Sequence, residues 1–187
     1  MTYKNTIISI LLTLAAGATI LFTLAYQSDN DHKKADPHIP DAYMENVTAI
    51  FLDKFGKMTM KIETPKMVHF AENDTTKFLF PQLTVFHKSP NPWYIASKTA
   101  KAWDGIENVI FKNDVTIHHP ADYKNPATII KTNTLHVHPN QKTAETADPI
   151  TMIQPNSIMK AVGMQADMET GDIKLLSHAE GEYVPDA

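Results

Sequence analysis

The sequence predicts an all-β domain that follows one apolar helix. Three observations carry this. Short runs rich in Val, Ile, Thr, Phe and Met recur from residue 47 onward, each bounded by Pro, Gly, Asn or Asp. One of them alternates strictly, Met58, Met60 and Ile62 against Lys57, Thr59, Lys61 and Glu63, which is the period of a strand with one apolar face. Residues 5–28, in contrast, hold no charged side chain at all.

In chain order, residues 1–6 are a short cytoplasmic start and residues 7–26 an apolar span. Those 20 residues, as a helix, cover about 30 Å, the thickness of a hydrocarbon core. A cleaved signal peptide would have an apolar region of only about 7–15 residues and a small-x-small site, of which Thr23-Leu24-Ala25 is a poor version. The expectation is an uncleaved anchor with its N-terminus inside and the bulk of the chain outside. Thr13, Ala15, Ala16, Gly17, Ala18 and Thr19 give that helix small positions at which a second helix can approach. Residues 27–42 are polar and contain Pro37 and Pro40, a flexible linker.

Residues 43–187 then form the β domain. Residues 46–52 and 57–63, joined by Asp53-Lys54-Phe55-Gly56, read as a hairpin with glycine in its turn. Further strand runs are 66–70, 78–87 broken at Pro81, 93–97, 109–118, 128–138, 150–153, 157–168 and 172–184, with turns at Asp104-Gly105 and Thr170-Gly171-Asp172. Residues 97–103 are the one stretch read as a helical turn. Ala96 to Val109 and Ala161 to Leu175 share a spacing of alanines, a glycine and then a strand, as suits a sheet of repeated strand pairs.

Composition excludes several functions. There is no cysteine, hence no disulfide, thiolate metal site, cysteine nucleophile or acylated lipoprotein cysteine. All 17 basic residues are lysine and the net charge is -4, which argues against nucleic acid. No nucleophile motif, phosphate loop or carboxylate pair stands out, so neither an enzyme nor a cofactor is expected. Nine histidines invite a metal reading, with His136 and His138 on one strand face, His118-His119 on a neighbouring strand and Asp122 nearby; no spacing rule supplies a third ligand, and no metal is assigned. The methionines say more: Met58, Met60, Met67, Met152, Met159, Met164 and Met168 all fall in the β part, where they suit an adaptable apolar interior or groove.

The layout of span, tether and short strands resembles LptC, the bitopic component of lipopolysaccharide export in Gram-negative bacteria. The resemblance rests on Phe55-Gly56-Lys57-Met58, Phe78-Leu79-Phe80-Pro81-Gln82-Leu83-Thr84, Trp93-Tyr94-Ile95-Ala96-Ser97 and Asn113-Asp114-Val115-Thr116-Ile117. It continues through Ile130 to Val137, Ala147-Asp148-Pro149-Ile150, Gly163 to Asp167 and Tyr183-Val184-Pro185, in order along nearly the whole chain. The resemblance implies an OstA-like β-jellyroll, a V-shaped open roll of antiparallel strands in the periplasm. It implies receipt of lipopolysaccharide from an inner-membrane ABC transporter (LptB, LptF and LptG), reached through helix and jellyroll, and delivery to periplasmic LptA through a jellyroll edge. Lipid contacts implied by the matched motifs are Val47, Phe78, Ile173 and Tyr183, with Phe78 expected at a strand start. Met58, Met60, Phe111, Leu135, Ile150, Met164 and Leu175 are added as interior residues of the same groove. Without arginine, a groove reading acyl chains suits the composition better than a bidentate phosphate clamp. The alternative is a membrane-anchored scaffold whose β domain has a dry core and binds no lipid.

Overall fold

The structure, a computed structural model, describes Thr19 and residues 39–86, 91–123 and 125–183. The span 7–26 therefore lies outside the described residues except Thr19, which is helical, and among described residues no helix is long and apolar enough to cross a membrane. The compact unit 36–187 is all-β: β1 (Ala42–Leu52), β2 (Met58–Phe70), β3 (Thr75–Leu79), β4 (Gln82–Val85), β5 (Trp93–Ala96), β6 (Thr99–Trp103), β7 (Asn108–His119), β8 (Thr128–His138), β9 (Thr143–Gln154), β10 (Ser157–Asp167) and β11 (Ile173–Tyr183).

All pairings are antiparallel, and the registers reduce the 11 strands to a simpler object. β3 and β4 pair with β2 in one unbroken register, from Phe70↔Thr75 to Met60↔Val85, and β6 and β5 pair with β3 and β4 in another, from Thr76↔Ala102 to Val85↔Trp93. They are two long strands, each kinked in the middle. The sheet is thus a meander of nine long strands in which each pairs with its chain neighbours. Short connections between consecutive strands favour this arrangement.

The kinks lie on one line. Asn46 (φ 52°) faces Pro65; Pro65 faces Phe80 (φ 47°), which precedes Pro81; Phe80 donates its N–H to the Lys98 carbonyl (2.8 Å), and Lys98 donates to that of Asn113 (3.0 Å). Asn113 and Asp114 (φ 66° and 56°), the register break at Asp148-Pro149, Gly163 (φ 78°) and His178 (φ 49°) continue it to the last strand. Proline removes a ladder donor and left-handed residues turn the pleat, so the ladder creases here. Buried hydroxyls cover the carbonyls the crease exposes: Thr64 reaches those of Lys66 and Leu79 (2.9 and 2.7 Å), Ser97 that of Thr99 (2.8 Å) and Thr132 that of Pro149 (3.1 Å).

The crease divides the sheet into two halves whose inner faces share one apolar core, the layered arrangement of a jellyroll. Half-sheet one holds β3, β6 and residues 42–45, 66–70, 108–112, 134–138, 143–146, 164–167 and 173–177. Half-sheet two holds β4, β5 and residues 47–52, 58–64, 115–119, 128–132, 149–154, 157–162 and 179–183. At Gly163 a Cβ would lie 2.9 Å from Leu176 Cδ1 in a left-handed backbone, so Gly163→Ala is expected to destabilise the domain by about 1–3 kcal/mol in urea unfolding.

Three expectations are corrected. Residues 97–103 are not a helical turn: Ala100 and Ala102 face the core of β6, where small side chains leave room for Phe78 and Phe111 across the sheet. Runs 66–70 and 150–153 are parts of longer strands, because Pro65 and Pro149 kink β2 and β9 without ending them. Phe78 is the fourth residue of β3, not a strand start.

Candidate functional site

Directly opposed residues of an antiparallel sheet share a face, so a register can be followed across all nine strands. In half-sheet one a single inner row runs Met44, Met67, Phe78, Ala100, Phe111, Leu135, Thr146, Met164 and Leu175. A second runs from Ala42 and His69 through Ala102, Val109, Val137, Ala144 and Ala166 to Ile173. Half-sheet two answers with Ala49, Ile62, Leu83, Ile95, Ile117, Ile130, Met152, Met159 and Gly181. Beside it stand Phe51, Met60, Val85 and Trp93, with Tyr183 at the far end opposite Ser157.

Each row runs from edge strand to edge strand, since β1 pairs only with β2 and β11 only with β10. Burial is graded along it. Met60, Phe78, Phe111, Leu135, Ile150 and Met164 are buried, Leu135 and Met164 completely. Val47, Met58, Ile173 and Leu175 are half-buried, and Ile173 and Leu175 pack against the core from the last strand. Tyr183 is 71 % exposed on the inner face of the uncovered strand β11. The sequence-selected residues thus fall in one inner face, with the middle packed and both ends ajar. Ile62, placed on an apolar face by its alternation, continues into Leu83, Ile95, Ile117 and Ile130, which are not among the candidate contacts and complete an aliphatic row; the alternation Thr128, Ile130, Thr132 is the signal for them in the sequence.

Opposite the crease, the free rims of the halves approach each other. The β1–β2 hairpin (Phe51, Leu52, Met60) and the turns at Ile106 and Pro139 of half-sheet one line a groove of about 320 Å³. At the other end Asn125 lies so close to Gly171 that a Cβ there would meet its amide nitrogen at 2.6 Å, which shuts the rim.

The four candidate histidines, His118, His119, His136 and His138, do not assemble. His118 and His119 point to opposite faces of β7, His118 stacking on Tyr94 outside and His119 (1 % exposed) lying against Trp93 inside, 3.7 Å from Asp122. His136 and His138 lie outside on β8, across the crease, His138 bonded to Asn108 (3.1 Å). Among the described residues no cluster could hold a metal ion.

A family model described as "Lipopolysaccharide-assembly, LptC-related" matches residues 8–184. The fold is similar to that of LptH from Pseudomonas aeruginosa, described as the LptA homologous periplasmic component of the conserved lipopolysaccharide transport device. That match has a TM-score of 0.53 and 9 % identity, and covers 67 % of this chain and 95 % of the other. It is a likeness of fold. No curated protein matches by sequence.

Proposed function

The chain belongs to the LptC-related family of lipopolysaccharide assembly, and from that premise we propose that its inner rows are a conduit for the acyl chains of lipopolysaccharide. The observation that supports this is one continuous row: Ala49, Ile62, Leu83, Ile95, Ile117, Ile130, Met152, Met159 and Gly181 stand opposite one another through every long strand, from one edge strand to the other, with no polar side chain between them. Two further inner rows reach the uncovered last strand in half-buried Ile173 and Leu175, where a dry structural core would be closed. Burial contributes about 0.8 kcal/mol per CH₂, so a partly covered trough holds an acyl chain and still releases it. The role is transport, without catalytic turnover.

In this reading residues 7–26 anchor the chain in the inner membrane and dock on the ABC transporter (LptB, LptF and LptG). The linker reaches β1, so that edge faces the supplier. β11, at the opposite end of the meander, is the edge that pairs with LptA and hands the lipid on, by strand addition to its open ladder. Since the middle of the rows is packed, loading requires the half-sheets to part. The crease, with its prolines and left-handed residues, is the line about which they turn, and the rim at Phe51, Ile106 and Pro139 is where they separate.

Photo-crosslinking residues incorporated at Phe78 and Ile173 are expected to capture lipopolysaccharide in cells, and one at Lys61, on the outer face, is not. Capture at Lys61 alone would leave the scaffold reading, whose core stays dry.

A further inference from the structure

One inner row of half-sheet two changes character along its length. Nearest the free rim, Phe51, Met60, Val85 and Trp93 stand opposite one another across β1, β2, β4 and β5. The row continues through His119, whose ring centre lies 4.5 Å from that of Trp93, to Thr128, Gln154 and Ser157. It therefore turns from apolar to polar at Trp93. The row beside it, one step nearer the crease, is aliphatic at the same strands, with Ile62, Leu83, Ile95, Ile117 and Ile130.

The polar stretch is bonded within the chain. Ser157 donates its hydroxyl to the Gln154 side-chain carbonyl (3.5 Å), Gln154 donates to the Thr128 hydroxyl (3.1 Å), and Thr128 donates to the Pro126 carbonyl (3.0 Å). The His119 imidazole lies 3.7 Å from the Asp122 carboxylate. The indole of Trp93 is different. Its Nε1–H is buried and has no hydrogen-bond partner among the described residues. A buried donor left unpaired is costly, and an indole nitrogen can only donate. What satisfies it is an acceptor brought in from outside the chain.

We propose that the Trp93 indole is a seat for the carbonyl that joins an acyl chain to its headgroup, as an ester or an amide. Such a carbonyl is the acceptor an acyl chain carries with it into apolar surroundings, and a single neutral donor suits it better than it suits a charged group. The boundary between the apolar and polar stretches of the row then coincides with the same boundary in the ligand. With the chain in the aliphatic row and its carbonyl at Trp93, the headgroup emerges at the free rim. The inference rests on the reading of the inner rows as an acyl-chain path, and adds where along that path the polar junction is held.

Trp93 and Trp103 are the two tryptophans, so isotope labelling of the indole nitrogens gives two NMR signals, assigned with a Trp103→Phe variant. The full chain is placed in nanodiscs of ether-linked phosphatidylcholine, which hold no ester carbonyl, and titrated with a lauroyl glycerol ester or with the dodecyl glycerol ether. The methyl signals of Met152 and Met159 report entry of either chain into the inner rows. The ester is expected to move the Trp93 indole proton downfield and to bind about fivefold more tightly than the ether, which shifts the methionines alone. Trp93→Phe should erase that preference while both probes still bind; if this variant does not fold, the indole signal of the unaltered chain decides. Methionine shifts with an unmoved Trp93 signal, or equal responses to ester and ether, overturn the proposal and leave the acyl-chain path standing. Methionine signals unmoved by either probe overturn both.

Discussion

Replacing Phe111 by alanine is expected to lower the unfolding free energy by about 3–5 kcal/mol, a large part of the roughly 5–15 kcal/mol that holds a domain together. Phe111 is 1 % exposed at the middle of its inner row, between Ala100 and Leu135. Ala100 has no atoms to move into the vacated space, and the β6 and β8 backbones on either side are tied into the ladder. The cavity therefore stays open. Urea unfolding should show the loss as a lower midpoint at unchanged slope. Leu175→Ala, in the same row but on the half-covered last strand, should lose less than half as much. That gradient is a property of a roll packed in its middle and ajar at its ends. A loss below about 1.5 kcal/mol at Phe111 would mean that the middle is already open in the free protein.

The strands were largely legible because one inner face imposes period two, and short turns rich in Asp, Asn and Gly mark their ends. The bounds of β8 coincide with the run 128–138. What failed was local reading at the crease. Pro65, Pro81 and Pro149 look alike in sequence, yet Pro65 and Pro149 lie inside strands while Pro81 separates β3 from β4. The difference is set by what stands across the ladder, such as Asn46 beside Pro65, and no local window contains both. The crease also switches which positions face inward: β8 buries Thr128, Ile130 and Thr132, then Leu135 and Val137. A reader following one parity along the whole strand loses half of it. For the same reason the alanines of β6 read as helical, because their job is to leave space for Phe78 and Phe111 from neighbouring strands. Ala96–Val109 and Ala161–Leu175 cross the β6–β7 and β10–β11 hairpins, as a stretch of that length does at any turn of a meander.

Ile173→Asp is expected to slow lipopolysaccharide transfer at least 100-fold while leaving the fold intact. Ile173 opens β11, half-buried, opposite Ala166, at the end of the inner row that starts with Ala42. A carboxylate there keeps its water in the empty protein, so stability should change by no more than about 1–1.5 kcal/mol, unlike the unfolding expected of Met60→Asp in the packed region. An acyl chain leaving over β11 has to strip that water. Even a fraction of the several kcal/mol that desolvating a carboxylate costs exceeds the 2.7 kcal/mol of a 100-fold slowing. Proteoliposomes carrying transporter and chain, with a soluble acceptor and labelled lipopolysaccharide, would measure the rate. Lys174→Asp provides the control, because the next residue of β11 lies on the outer face and is exposed. A loss shared equally by both variants would indicate damage to the β11 edge as a docking strand, and no loss in either would remove the inner rows as the path. Ile173→Leu should retain transfer and Ile173→Asn fall between, since the barrier follows the hydration of the side chain rather than its volume.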